Sequence, residues 1–258
     1  MCRHLAYLGR PRPLAALVLT PPHGLYSQSY QPRDMRGAGT VNVDGFGVGW
    51  YQPDRADPVR YRGGRPLWAD ESFAQIAAAT SSGAVLAAVR SATDGMPVVH
   101  TACAPFTSGP WLFSHNGSIT GWPGSMARLA GRVPVTDLLT MDAATDSALL
   151  WVLLRARLDE GADPGQALAE LVTEVAAAAP GSRLNLLLTD GREVWATAWG
   201  HALTTQVTPE GITVASESCD DLPGWEPVPE GYLVYGSAAG GIGTRPIDGL
   251  DRPWAAAR

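Results

Sequence analysis

The stretch from Thr145 to Leu158 limits what this chain can fold into more than any other. Thr145 or Asp146 can cap a helix there, and the run that follows, ALLWVLL, is apolar nearly all round. A helix with no polar face has no side to offer water, so it must be buried between layers of other structure. A second, amphipathic helix is predicted over Pro164 to Ala179, stopped by Pro180-Gly181. Strand-forming runs flank this helical middle. Before it come Cys2 to Leu8, Val41 to Tyr51, Val85 to Arg90 and Trp111 to Ser114. After it come Leu184 to Thr189, Glu193 to Trp199, Leu203 to Val207, Ile212 to Ser216 and Leu233 to Tyr235, with Asp190-Gly191 as a turn. Strands, then helices, then strands predict an α+β sandwich: two antiparallel sheets face to face with helices outside.

Smaller features fill in the rest. Leu14 to Leu19 is a further apolar run ended by Pro21-Pro22, and Gly24 to Gly39 is a polar and aromatic loop carrying Tyr26, Tyr30, Arg33 and Arg36. A loop of that length inside a compact domain is more often functional than idle. In Val41 to Tyr51, glycines at 45, 47 and 49 leave one strand face bare, for a ligand or for close packing of two sheets. Asp70 caps a short helix to Ala79. No repeat or linker divides the 258 residues, which read as one domain over 1–258.

Charge removes several function classes. The net charge is -6, so no basic field favours nucleic acid or an anionic membrane, and neither is expected as a partner. All basic residues are arginine, which excludes a Schiff-base, pyridoxal phosphate or phosphate-loop lysine. The three cysteines and five histidines have no metal-ligand spacing, so neither metal nor cofactor is expected. No basic leader or membrane-length apolar run is present, and a cytoplasmic location is expected.

Chemistry then centres on Cys2. Removal of Met1 by methionine aminopeptidase would leave one residue with a thiol and a free α-amine, whose pKa near about 7.7 to 8.0 suits it to take the thiol proton. The plainer alternative is a small buried hydrophobe opening a strand. In WLFSHNGSITG, Asn116-Gly117 suits a tight turn, and its side-chain amide and backbone N–H also suit an oxyanion hole. Arg90, where a buried strand meets a loop, can grip a carboxylate through two hydrogen bonds or close an internal salt bridge. Asp146 can cap its helix or receive a substrate ammonium. A carboxylate for Arg90, an amine for Asp146 and a carbonyl for Cys2 together describe a glutamyl group.

Taken in order, Cys2, Arg90-Ser91-Ala92-Thr93, His115-Asn116-Gly117 and Thr145-Asp146 resemble the class II glutamine amidotransferase domain of the N-terminal nucleophile hydrolases. MCRHLAYLG, DGFGVGWY, CAPFTSGPWLFSHNG and ASESCDDLPGWEPVPEG are similar to the stand-alone amidohydrolases of ergothioneine biosynthesis, which act on γ-glutamyl-hercynylcysteine sulfoxide. The resemblance implies a four-layer αββα sandwich and a small-molecule γ-glutamyl substrate. It also implies catalysis by Cys2, Asn116 and Gly117, and substrate binding by Arg90 and Asp146, with Trp50 and His115 as further candidates. Arg3 departs from the glycine usual after the nucleophile. A quaternary ammonium on such a substrate calls for aromatic faces, for which Tyr26, Tyr30, Trp50, Tyr51 and Trp122 are candidates. A glutaminase subunit feeding a separate synthase and a non-catalytic binding module are the alternatives.

Overall fold

The computed structural model describes residues 2–34 and 41–249; Met1, Arg36 and Gly39, on which parts of the N-terminal and loop expectations rest, lie outside them. One sheet has seven strands: β1 (Arg3–Pro13), β2 (Phe46–Trp50), β3 (Val59–Gly63), β4 (Ser81–Val89), β9 (Thr204–Thr208), β10 (Gly211–Ala215) and β11 (Trp225–Pro227). Their order is β11-β9-β10-β1-β4-β2-β3. The other has six, β5 (Phe106–Ser108), β6 (Trp111–Ser118), β7 (Arg183–Thr189), β8 (Glu193–Ala198), β12 (Tyr232–Ser237) and β13 (Gly241–Pro246), ordered β13-β12-β8-β7-β6-β5. Neighbouring strands pair antiparallel in both.

The inner faces of the two sheets meet through small and aliphatic residues, Ala6, Leu8 and Leu86 on one side and Leu112, Leu187 and Val234 on the other. Helices α1 (Leu14–Val18), α2 (Leu25–Gln28) and α3 (Glu71–Ala79) cover the outer face of the seven-stranded sheet, packing against Leu5, Tyr7 and Val85. Helices α4 (Ala127–Ala130), α5 (Val135–Leu139), α6 (Asp146–Asp159) and α7 (Pro164–Ala178) cover the other. The result is the expected αββα sandwich. Helix α6 lies in an outer layer rather than between the sheets, and its apolar circumference is buried because α7 covers the side that β6 does not, with Trp151 stacked on Phe113 at 5.5 Å.

Several local expectations are corrected. The apolar run at Leu14 is a helix, since α1 is too short to show a helical period in sequence. β1 continues past Gly9 to Pro13 because a register shift between Leu8 and Arg12 absorbs the glycine and Pro11. β2 begins only at Phe46, and β3 and β13 were not anticipated.

The bare glycine face is a packing device. A Cβ on Gly47 would sit 2.3 Å from the Ala104 carbonyl oxygen, and one on Gly49 2.6 Å from Leu112 Cδ1, so these glycines let the second sheet approach. At Gly47 the obstacle is backbone, which cannot rotate away. Gly47→Ala is therefore expected to lower stability by about 1 to 3 kcal/mol, read as a shifted urea midpoint at unchanged slope.

Candidate active site

The strand registers bring distant residues to one edge of the sandwich. β1 and β4 pair with Arg3 opposite Val89, so Cys2 and Arg90 are the next residues outward on neighbouring strands. On the other side β10 pairs Ala215 with Leu5, which carries Ser216 and Glu217 alongside His4 and Arg3. Cys2, Ala88, Arg90, Phe106, His115 and Ser147 line one small cavity of about 20 Å³, where both sheets meet the start of α6. Cys2 is half-buried, and its thiol donates to the Ser91 carbonyl at 3.6 Å. Burial pushes the other two thiols up, Cys103 to about 11 and Cys219 to about 12. Those two behave as packing groups.

Arg90 is 8% exposed and its Nη1 has no hydrogen-bond partner. Its backbone is fixed, N–H to the Gly45 carbonyl and carbonyl from the Asp44 N–H, so the guanidinium is carried by a rigid strand end. The internal salt bridge open to it in sequence is absent among the described residues. A buried guanidinium nitrogen without a protein acceptor is costly, and in native proteins such a group has a specific cause, such as strain, a functional role or a bound water or ion.

Asn116-Gly117 is not a turn. β6 runs through it to Ser118, with Asn116 opposite Asn185 and Gly117 opposite Leu184 on β7. Glycine is required at 117 because a Cβ there would lie 1.8 Å from the Arg183 carbonyl oxygen. Asn116 is buried, its Nδ2 donating across the sandwich to Ser216 Oγ at 3.3 Å while its Oδ1 has no partner. Ser216 Oγ also accepts from the His4 backbone N–H at 3.0 Å, which ties Asn116 to the strand that carries Cys2.

His115 bridges the second sheet to α6. Its Nε2 is 2.9 Å from the Arg183 carbonyl and so carries the proton, leaving Nδ1 to accept from the Ser147 hydroxyl at 2.9 Å. Thr145 caps α6, accepting from the Ala148 N–H, so Asp146 is not the cap. The Asp146 carboxylate instead accepts from the Ser147 N–H at 2.7 Å and the Ile119 N–H at 3.1 Å, buried one residue behind the cavity wall.

Arg3 and Glu217 had no sequence signal as a pair. Both are buried, with Arg3 Nε donating to Glu217 Oε1 at 2.9 Å. Arg3 Nη1 donates to the Cys2 carbonyl at 3.3 Å and Nη2 to the Asp34 carbonyl, while Glu217 Oε2 accepts the Arg33 N–H at 2.7 Å. The departure from the family pattern at position 3 thus has a structural use.

Trp50 is not brought to this site. In β2 the glycines face the second sheet, so by strand alternation Phe46, Val48 and Trp50 face α1 to α3, where all three are core. Tyr51 is committed elsewhere, its hydroxyl donating to the Pro110 and Thr189 carbonyls, and Trp122 packs on the α6 and α7 side. Tyr26 packs against the outer core and meets Tyr30 edge-on at 6.0 Å. Among the described residues no cluster of three or more His, Cys, Asp or Glu could hold a metal ion, and no helix is long and apolar enough to cross a membrane.

With this arrangement, residues 24–209 match the family described as glutamine amidotransferases, class-II, and the chain belongs to that family. It is 44% identical over 234 residues to the γ-glutamyl-hercynylcysteine sulfoxide hydrolase of Mycolicibacterium smegmatis, a match covering 91% of this chain and 95% of that protein. It is 42% identical to the protein of the same name from Mycobacterium tuberculosis, over 91% of this chain and 92% of the relative. A solved structure of a glutamine aminotransferase class-II domain protein from Silicibacter pomeroyi superposes with a TM-score of 0.68 at 24% identity, covering 95% of this chain and 99% of that one, which speaks for the fold.

Two consequences for stability follow from the buried polar groups. Glu217→Ala would leave the Arg3 guanidinium buried without a counter-charge, and a loss of about 3 to 5 kcal/mol is expected by chemical denaturation. Burial, helped by the nearby charges of His115, His201 and Arg3, lowers the His4 pKa from 6.5 to about 3, and burial beside Arg183 lowers His201 likewise to about 3. Both are neutral in the folded state, whereas the unfolded chain binds protons below 6.5. Stability should therefore be full above pH 6.5 and fall toward pH 3, each histidine contributing a slope approaching about 1.4 kcal/mol per pH unit. Urea titrations at pH 7, 6 and 5 read this slope, and it should shrink in His4→Asn.

Proposed function

We propose that this protein hydrolyses the γ-glutamyl amide of γ-glutamyl-hercynylcysteine sulfoxide in the cytoplasm, releasing glutamate in ergothioneine biosynthesis. One observation carries the reading: the unpartnered Nη1 of Arg90 belongs to a residue that lines the same cavity as Cys2. A planar guanidinium beside a thiol suits a substrate with a carboxylate at one end and a reactive carbonyl at the other. The curated relatives named for that hydrolysis supply the identity of the leaving group.

The roles follow from the chemistry of each group. Once Met1 is removed, the α-amine of Cys2 takes the thiol proton and the sulfur attacks the γ-carbonyl carbon. Asn116 Nδ2, whose 3.3 Å bond to Ser216 is long enough to yield, and the Gly117 N–H stabilise the oxyanion. The ammonium then returns its proton to the leaving nitrogen as the C–N bond breaks, and a γ-glutamyl thioester remains on Cys2. Water adds to that thioester, the C–S bond breaks, and glutamate leaves. Arg90 holds the substrate α-carboxylate, and Asp146 receives the α-ammonium, with His115 and Ser147 framing that end. The cavity beside Cys2 is small, about 20 Å³.

Incubating the processed enzyme with the sulfoxide should release glutamate, and Cys2→Ala should release none. Asn116→Ala removes one of two oxyanion donors and is expected to lower kcat about 10²- to 10³-fold with a much smaller change in KM. Arg90→Lys keeps the charge but loses the paired hydrogen bonds, so kcat/KM should fall despite intact folding. Turnover that persists with a residue fixed ahead of Cys2, or a steep rise in KM alone for Asn116→Ala, contradicts these roles.

A further inference from the structure

The stretch from Ala215 to Gly231, ASESCDDLPGWEPVPEG, has no part in the bond-breaking steps, yet it builds most of a second cavity of about 620 Å³. Its walls include Asp34, Leu203, Ser216, Glu217, Trp225 and Val228. That volume is within the range of about 300 to 1,000 Å³ typical of small-molecule sites. Two direct contacts join it to the catalytic edge. Ser216 takes the Asn116 amide, and Glu217 takes the Arg3 guanidinium, which in turn holds the Cys2 carbonyl.

We propose that this cavity receives the leaving group of the hydrolysis and that Trp225 determines specificity there, its indole face holding a quaternary ammonium. The inference rests on the γ-glutamyl reading. In that reading the Arg90 side takes the glutamyl end, and the remainder of the substrate needs room on the other side of the scissile bond, next to Asn116. A hercynyl group carries a trimethylammonium, which has no N–H to donate and spreads its charge over methyl groups. An aromatic face inside an apolar wall suits it better than any single hydrogen-bonding group.

Trp225 is prepared for this. Its Nε1 donates to Asp220 Oδ1 at 2.8 Å, which fixes the ring before anything binds. Leu203, Pro227 and Val228 supply the apolar surroundings, while Glu217 and Asp34 place acidic residues in the same walls. Arg33, the cation on this wall, is engaged by Asp221 at 2.9 Å. Glu217 is shared with Arg3, so the cavity combines an aromatic face with a carboxylate that also steadies the nucleophile's strand.

The test compares kcat/KM for γ-glutamyl-hercynylcysteine sulfoxide with that for γ-glutamylcysteine, which lacks the quaternary ammonium, in wild type, Trp225→Ala and Trp225→Phe. The ratio of the two should fall roughly 3- to 30-fold in Trp225→Ala, the range expected for loss of one cation–aromatic contact, and largely recover in Trp225→Phe. Thermal melts identify a variant that has merely unfolded; should Trp225→Ala be one, Trp225→Leu, apolar but without an aromatic face, takes its place, and an unchanged ratio there overturns the assignment. A ratio unchanged in folded Trp225→Ala overturns the role of Trp225 while glutamate release keeps the γ-glutamyl reading intact. Wild-type enzyme that releases no glutamate from either substrate overturns both.

Discussion

Cys2 lies just ahead of β1, and its position is imposed by contacts made much further along the chain. Here the Arg3 side chain imposes it, reaching the Cys2 carbonyl, the Glu217 carboxylate and the Asp34 carbonyl at once. Three otherwise separate segments are drawn together: the first strand, the loop after α2 and the crossing from β10 to β11. Burying an arginine and a glutamate carries a desolvation cost that the pair alone seldom recovers. The additional bonds from Arg33 N–H to Glu217 and from Arg3 to two carbonyls satisfy the remaining polar atoms and fix geometry.

Around that clamp the interior is unusually polar for the meeting edge of two sheets. His4, Ser114, Asn116 and Ser216 all face into the sandwich, where His4 Nδ1 lies 3.2 Å from Ser114 Oγ. The same face further along is Ala6, Leu8 and Leu112, ordinary core. One pair of sheets thus has an apolar end and a polar end. His4 Nε2, His201 Nε2, Asn116 Oδ1 and Arg90 Nη1 have no protein hydrogen-bond partner among the described residues.

Much of the architecture was legible in sequence where the local signal and the tertiary requirement agree. The two long helices were readable because Thr145 or Asp146 could cap the first, Pro180-Gly181 stops the second, and their apolar content extends over three turns or more. Arg90 stood out as a charge ending a buried run, which is where the structure leaves it. Asn116-Gly117 misled as a turn because the dipeptide's usual cause, a positive φ, is absent here; glycine is selected by the Arg183 carbonyl pressing on it from β7. Trp50 misled because its direction is set by the glycines beside it: once those face the second sheet, period-2 alternation sends the tryptophan outward. No local pattern could have paired Arg3 with Glu217, since that contact depends on β1 and β10 becoming neighbours.

The 214 residues between Arg3 and Glu217 also set an order of events. β1 is the first strand to be made, yet it sits in the middle of its sheet, and its partner β10 is among the last. At a synthesis rate of about 5 to 20 residues per second, the start of the chain waits roughly 10 to 40 s before Glu217 exists to hold it. During that interval β4 is made and can pair with β1 on one side, and β10 completes the other. The late-arriving carboxylate thus ties down the middle of this sheet only after most of the chain has been made.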